Sequence, residues 1–145
     1  MKNVHLLRTA ETPEALRELF DALAACGLRF GWLDLGDREL PDEPLTRAAR
    51  AGALRAVEVA RDGSTTRKAR RGPVVLGDLL RENFGGCAVV FARAAAPVDW
   101  TDSRWIAAPS LSRIDADRFR LEGERGAQEW GARALAERLR SPLAL

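Results

Sequence analysis

Tyrosine is absent from this chain of 145 residues, histidine occurs once and cysteine twice. Phenolic acid–base chemistry is therefore excluded, and any histidine-dependent triad must be built around His5 alone. A two-histidine zinc site is excluded for the same reason. Cys26 and Cys87 give neither a disulfide framework nor paired metal-ligand spacing, and they read as small buried hydrophobes. No apolar run approaches the roughly 20 residues that cross a bilayer, and the first residues, MKNVHLLRTAE, lack the apolar core of a signal peptide. The expected location is the cytoplasm, with no membrane partner.

Nucleotide and nuclease signatures are missing too. Neither G-x-G-x-x-G nor G-x-x-x-x-G-K-[ST] occurs; Gly31 and Gly36 have the outer spacing of a phosphate loop, but Asp37-Arg38 stands where Lys-Ser/Thr would touch phosphate and metal. Pro41-Asp42 lacks the following acid-x-Lys of a nuclease strand. Gly123-Glu124-Arg125-Gly126 has the G-x-x-G form that some RNA-binding domains use to clamp backbone, yet its acid would repel phosphate. The two glycines read instead as a turn at the start of a helix. No cofactor is expected.

What is present is the composition of an ordinary globular domain. Hydrophobic residues make up 46% and charged residues 30%, a composition that suggests neither disorder nor membrane residence. A chain of this length buries roughly 70% of the surface exposed when unfolded, so a single domain over residues 1–145 is expected.

Local patterns give the order of elements. Val4 to Leu7 reads as a short strand. Thr12-Pro13-Glu14 then supplies an N-cap, a proline at the first helical position and an acid in the first turn. Leu16, Leu19, Phe20, Leu23 and Ala24 form an apolar stripe at helical spacing, and Gly27 stops it. Leu28 to Leu35 reads as a strand with Leu28, Phe30, Trp32 and Asp34 on one face and Gly31, Leu33 and Leu35 on the other. Apolar residues on both faces predict a strand covered on both sides, as a β-α-β crossover produces. A short helix over 44–51 ends at Gly52. A second patterned helix carries Val75, Leu76, Leu79, Leu80 and Phe84 and stops at Gly85-Gly86.

Cys87 to Ala92 is a continuous apolar run of strand length and the best candidate for a central strand. Arg104 to Ala108 and Arg118 to Glu122 read as later strands. A closing helix is predicted over Gln128 to Arg140, with Trp130, Ala134, Leu135 and Leu139 inward. The fold class that follows is α/β: a single domain with one mixed β-sheet, parallel through its β-α-β start and antiparallel through a hairpin and the C-terminal strands, with helices packed on it.

That hairpin is the most distinctive stretch. Asp62-Gly63 lies between two strand-like runs, LRAVEVAR and the polar return STTRKARR, and Asp-Gly favours a two-residue turn with positive φ at both central positions. The turn would set Glu58 opposite Arg67, Val57 opposite Lys68 and Arg55 opposite Arg70. Residues 61–71 hold five cations, Arg61, Arg67, Lys68, Arg70 and Arg71, against the single acid Asp62. A cationic ribbon at a sheet edge is the expectation, contacting a protein partner or a second copy of the chain. Nucleic acid is the alternative partner, although no aromatic residue interleaves Arg67 to Arg71 to stack on bases.

Two further sets of residues point toward chemistry. Acids gather at Asp34, Asp37, Glu39, Asp42 and Glu43, where a strand ends and open α/β sheets place ligands; Asp34 and Asp37 are the pair that would share a magnesium ion. With Arg8 they define the least implausible carboxylate and arginine enzyme. Leu6-Leu7-Arg8-Thr9-Ala10-Glu11-Thr12 resembles the LLRHAET opening of the histidine phosphatases. That resemblance implies a strand leading into a phosphate-binding loop. Thr9 stands where the family has its phosphorylated histidine, so it also implies a catalytically dead domain that holds an anion through Arg8. Among the tryptophans, Trp32 and Trp130 read as core, while Trp100 and Trp105 flank an irregular segment where core packing competes with a role as partner anchors.

Overall fold

The N-cap signal at Thr12 is realised directly: the Ala15 N–H donates to Thr12 Oγ1 at 3.3 Å. A 3₁₀ turn over Glu14–Leu16 leads into helix α1, Arg17–Ala25. The computed structural model describes residues 4–35, 47–59, 76–94, 103–143 and 145. Leu16, Leu19, Phe20 and Leu23 are buried as their spacing predicts. Ala24 is exposed and Ala22 is half-buried in its place, because the stripe turns toward the sheet at the end of the helix. Gly27 follows with φ of +72°, a conformation that costs a residue with a side chain.

Seven strands form one sheet among the described residues. They are β1 His5–Thr9, β2 Phe30–Leu35, β3 Arg55–Val59, β4 Val89–Ala94, β5 Ser110–Asp115, β6 Arg118–Gly123 and β7 Gly126–Gly131, in the spatial order β3-β2-β4-β1-β5-β6-β7. The first five in that order run parallel. β5, β6 and β7 form an antiparallel meander. The mixed α/β class read from the sequence is present, parallel at its start and antiparallel at its end. The apolar run from Cys87 supplies β4, which lies inside the parallel block between β2 and β1.

Helix α1 and a helical segment at residues 47–50 contribute Leu16, Leu19, Phe20, Leu23 and Ala48 to one face of the sheet, where they meet Leu7, Phe30, Trp32 and Phe91. Helix α4, Ala132–Leu139, adds Leu135, Ala136 and Leu139 to that layer. Helices α2, Leu76–Asn83, and α3, Ser103–Ala107, cover the other face against Leu33, Leu35, Val57, Val59 and Val90. β2 is accordingly buried along its whole length. Gly31 has no side chain because the Phe84 ring occupies the space a Cβ would need.

Three elements differ from the sequence reading. Residues 103–107 are helical rather than extended. Trp105 and Ala108, three apart, both enter the core, while Ile106 between them is 60% exposed. The RWIAA run is too short for its periodicity to separate strand from helix. Ser110–Asp115, read as no element, is strand β5. Finally, residues 128–131 belong to β7 and not to the closing helix, since Phe119 of β6 pairs with Trp130 and Leu121 with Gln128. Helix α4 therefore starts at Ala132, with Ala136 inward and Ala134 exposed. Glu124-Arg125 is the tip of the β6–β7 hairpin, with Gly126 at φ of +105°, rather than the start of a helix.

Candidate functional site at the carboxyl ends of the parallel strands

α1 follows β1 on one face of the sheet, and α3 follows β4 on the other. β1 and β4 are neighbours, so their carboxyl ends mark the point where the windings diverge, the usual place for a ligand crevice in an open α/β sheet. Strand register sets the residues there. Glu58 pairs with Asp34, Asp34 with Arg93 and Arg93 with Thr9 across β3, β2, β4 and β1. Paired positions share a face, so the sequence folds two carboxylates, a guanidinium and a hydroxyl into one row.

The row is buried. Glu58 is 1% exposed, Asp34 4% and Thr9 6%. Charges this deep persist only where partners replace water. Asp34 accepts from the Trp32 indole, Nε1 to Oδ2 at 3.1 Å, and its Oδ1 lies 3.6 Å from Arg93 Nη1. The Trp32 bond follows from strand geometry, because side chains two apart project to the same side. Thr9 Oγ1 donates to the Leu111 carbonyl at 2.9 Å and accepts the Glu11 N–H at 3.0 Å, tying the end of β1 to β5 and to its own loop. Arg93 Nε is buried with no hydrogen-bond partner among the described residues.

Arg8 points the other way. Its Nε donates to the Ala108 carbonyl at 3.0 Å, and its guanidinium carbon lies 5.4 Å from the centroid of the buried Trp105 ring. Those contacts hold it against α3, across the sheet from Asp34. The grouping of Asp34, Asp37 and Arg8 in one carboxylate and arginine site is thus corrected: alternation along β1 and β2 sends Arg8 and Asp34 to opposite faces, and Asp37 lies outside the described residues. The Arg8 of the phosphatase-like opening is engaged by Ala108 and Trp105 within the fold.

His5 Nε2 donates to the Ser141 carbonyl at 2.6 Å, a link between β1 and the chain beyond α4. Cys87 is buried, and burial pushes its thiol pKa up. Cys26 is half-buried and donates to Glu137 Oε1 at 3.4 Å; its pKa is raised, by burial first and by the carboxylate second. Neither thiol is activated as a nucleophile. Trp105 is core, and Trp100 lies outside the described residues. Arg61, Arg67, Lys68, Arg70 and Arg71, with the Asp62-Gly63 turn and the acids from Asp37 to Glu43, also lie outside them. Among the described residues no three His, Cys, Asp or Glu side chains are grouped to hold a metal ion.

Sequence reading missed Thr9, Glu58 and Arg93 as a set with Asp34. The available signal was a charge closing an otherwise apolar strand, Asp34 after FGWL and Arg93 after CAVVFA. The pairing that unites them is not a local property. The chain matches no protein-family model, no curated protein and no solved structure.

Proposed function

We propose that this chain is a cytoplasmic binding and assembly module rather than a catalyst, contacting a protein partner or a second copy of itself through the cationic segment Arg61, Arg67, Lys68, Arg70 and Arg71. One observation carries the reading: β3, the strand that leads into this segment, is the terminal strand of the sheet among the described residues. A terminal strand marks the border of the sheet, where a partner can be met without opening the fold. The five cations begin two residues after its last residue, Val59. Guanidinium groups there would add paired contacts to an acidic surface. The polar groups at the strand ends lend further support, since Asp34, Thr9 and Arg8 are turned into contacts within the fold.

Charge reversal tests the reading. Light scattering should detect self-association of the unmodified chain, and Arg67→Glu, Arg70→Glu and Arg71→Glu together should abolish it. An unchanged mass for the triple variant across a concentration series would overturn self-assembly through this segment. Duplex DNA provides the contrasting outcome. About four phosphate contacts would give a log–log salt slope near −3.6, and observing it would reassign the cations to nucleic acid.

A further inference from the structure

Among the described residues β7 closes the sheet on the border away from β3, and Gly126, Ala127, Gln128, Glu129 and Gly131 along it are all exposed. Exposed edges are normally guarded by lysine, proline or a bulge, each of which keeps a further strand from pairing. β7 carries none of these. Its sequence is GAQEWG, and its register with β6 runs unbroken from the Gly123–Gly126 pair to the Arg118–Gly131 pair. Glycine at each end and Ala127 between them leave the backbone open to the approach of another strand.

Chain direction sets which charges stand at the end of this edge. β5 runs parallel to β1 and the meander reverses twice, so β7 ends on the same side of the sheet as the carboxyl ends of the parallel block. The β5–β6 turn stands there too: Asp115 pairs with Arg118, Arg118 with Gly131, and the Ala132 N–H donates to the Asp117 carbonyl at 2.8 Å. Asp115 and Asp117 are exposed and form no ion pair with a described residue. Glu129 is a third acid, and Arg118, its partner at 2.8 Å, is the one cation in stretches 115–118 and 126–131. Three acids against one cation give this corner a net −2. Residues 61–71, with five cations against Asp62, carry a net +4. The chain leaves β3 toward them at the same, carboxyl, end of the sheet.

We propose that the β7 edge is the docking surface for the cationic segment of a second copy: residues 64–71, STTRKARR, add a strand along β7 and bring their guanidinium groups to Asp115 and Asp117. This rests on the assembly reading above and adds the receiving surface to it. Backbone pairing supplies the strand contact, and the opposed charges fix its placement. The two surfaces differ, one following β3 and the other at the opposite border, so copies join head to tail rather than about a two-fold axis.

Charge complementation between two full-length variants tests the docking surface. One carries Arg67→Glu, Arg70→Glu and Arg71→Glu, the other Asp115→Asn and Asp117→Arg. Asparagine keeps the acceptor that Asp115 Oδ1 offers the Asp117 N–H, and both positions are exposed, so the second variant keeps its fold, which an unchanged thermal midpoint verifies. By light scattering each variant alone should associate at least about tenfold more weakly than the unmodified chain. Mixed, the two should associate again, because the cations of the second meet the intact acids of the first. In the mixture the amides of Ala127 to Gly131 should also exchange at least about tenfold more slowly than in either variant alone. Loss of association in the first variant but not in the second would overturn this docking surface and leave the assembly reading standing. Undiminished association of the first variant would overturn both. A mixture that stays dissociated, or that associates with β7 exchange unchanged, would likewise overturn the docking surface.

Discussion

Asp34 shows how one residue carries two readings until its neighbours are known. In the sequence it closes an apolar strand and heads an acidic run, which is the pattern of a metal or ligand carboxylate. In the fold it is buried between the Trp32 indole and Arg93, so its first role is to accept the buried indole N–H and to pair with the guanidinium 3.6 Å away. Removing one member of such a set costs more than the pair contributes, because the remaining groups stay buried without their partner. Asp34→Ala should therefore lower stability by about 2 to 4 kcal/mol in urea unfolding, while Asp34→Asn, which keeps an acceptor for the indole, should cost about half as much. Equal losses for the two variants would assign the effect to the charge alone. The residue type and its place at the strand end were legible in the sequence. Its burial was not, because burial depends on what α1 and the neighbouring strands place above it.

The clearest signals at the level of elements were those written within one turn or one strand. The Thr12 cap, the Leu16 to Leu23 stripe, the alternation of β2 and the stops at Gly27, Gly52 and Gly86 all act over a few residues, and each is present. Where a segment was short and apolar, as in 104–108, or where a strand ran straight into a helix, as at Trp130 to Ala132, local pattern failed. One contact between elements carries its own prediction. Glu14, in the 3₁₀ turn before α1, accepts both Nε and Nη2 of Arg47 at 2.6 and 2.7 Å, joining that turn to the helical segment at 47–50. The Arg47 hydrogen bonds are the main cause of a Glu14 pKa lowered from 4.5 to about 2. A lowered folded-state pKa means that the unfolded chain takes up the proton first. The stabilisation is thus complete above pH 4.5 and disappears as pH falls toward 2. Both side chains are more than a third exposed, which limits the effect to about 1 kcal/mol or less. Glu14→Gln should flatten the acid limb of the stability curve over that window and leave higher-pH behaviour shifted by a constant amount, as thermal melts across pH would show.

Across the whole molecule the sheet divides into a parallel block covered on both faces and a meander whose strands are largely exposed. Local opening follows burial, so amide exchange should be slowest in β4 and β1, at Val90, Phe91 and Leu7, where only global unfolding exposes the N–H groups. Amides facing outward from β7 should exchange at least about a hundredfold faster. Similar protection in the two regions, measured by native-state hydrogen exchange, would mean that the meander is as tightly held as the parallel block. The sequence by itself determined the element types that rest on short-range periodicity, the mixed α/β class and the exclusion of a two-histidine zinc site. Only the tertiary structure decided that β4 enters between β2 and β1, that Arg8 and Asp34 part to opposite faces, and that Glu58, Asp34, Arg93 and Thr9 stand in one row. The physical reason is that a strand's alternation records which side chains face inward but not which strand lies beside it. Neighbours are chosen by the packing of every helix on both faces at once.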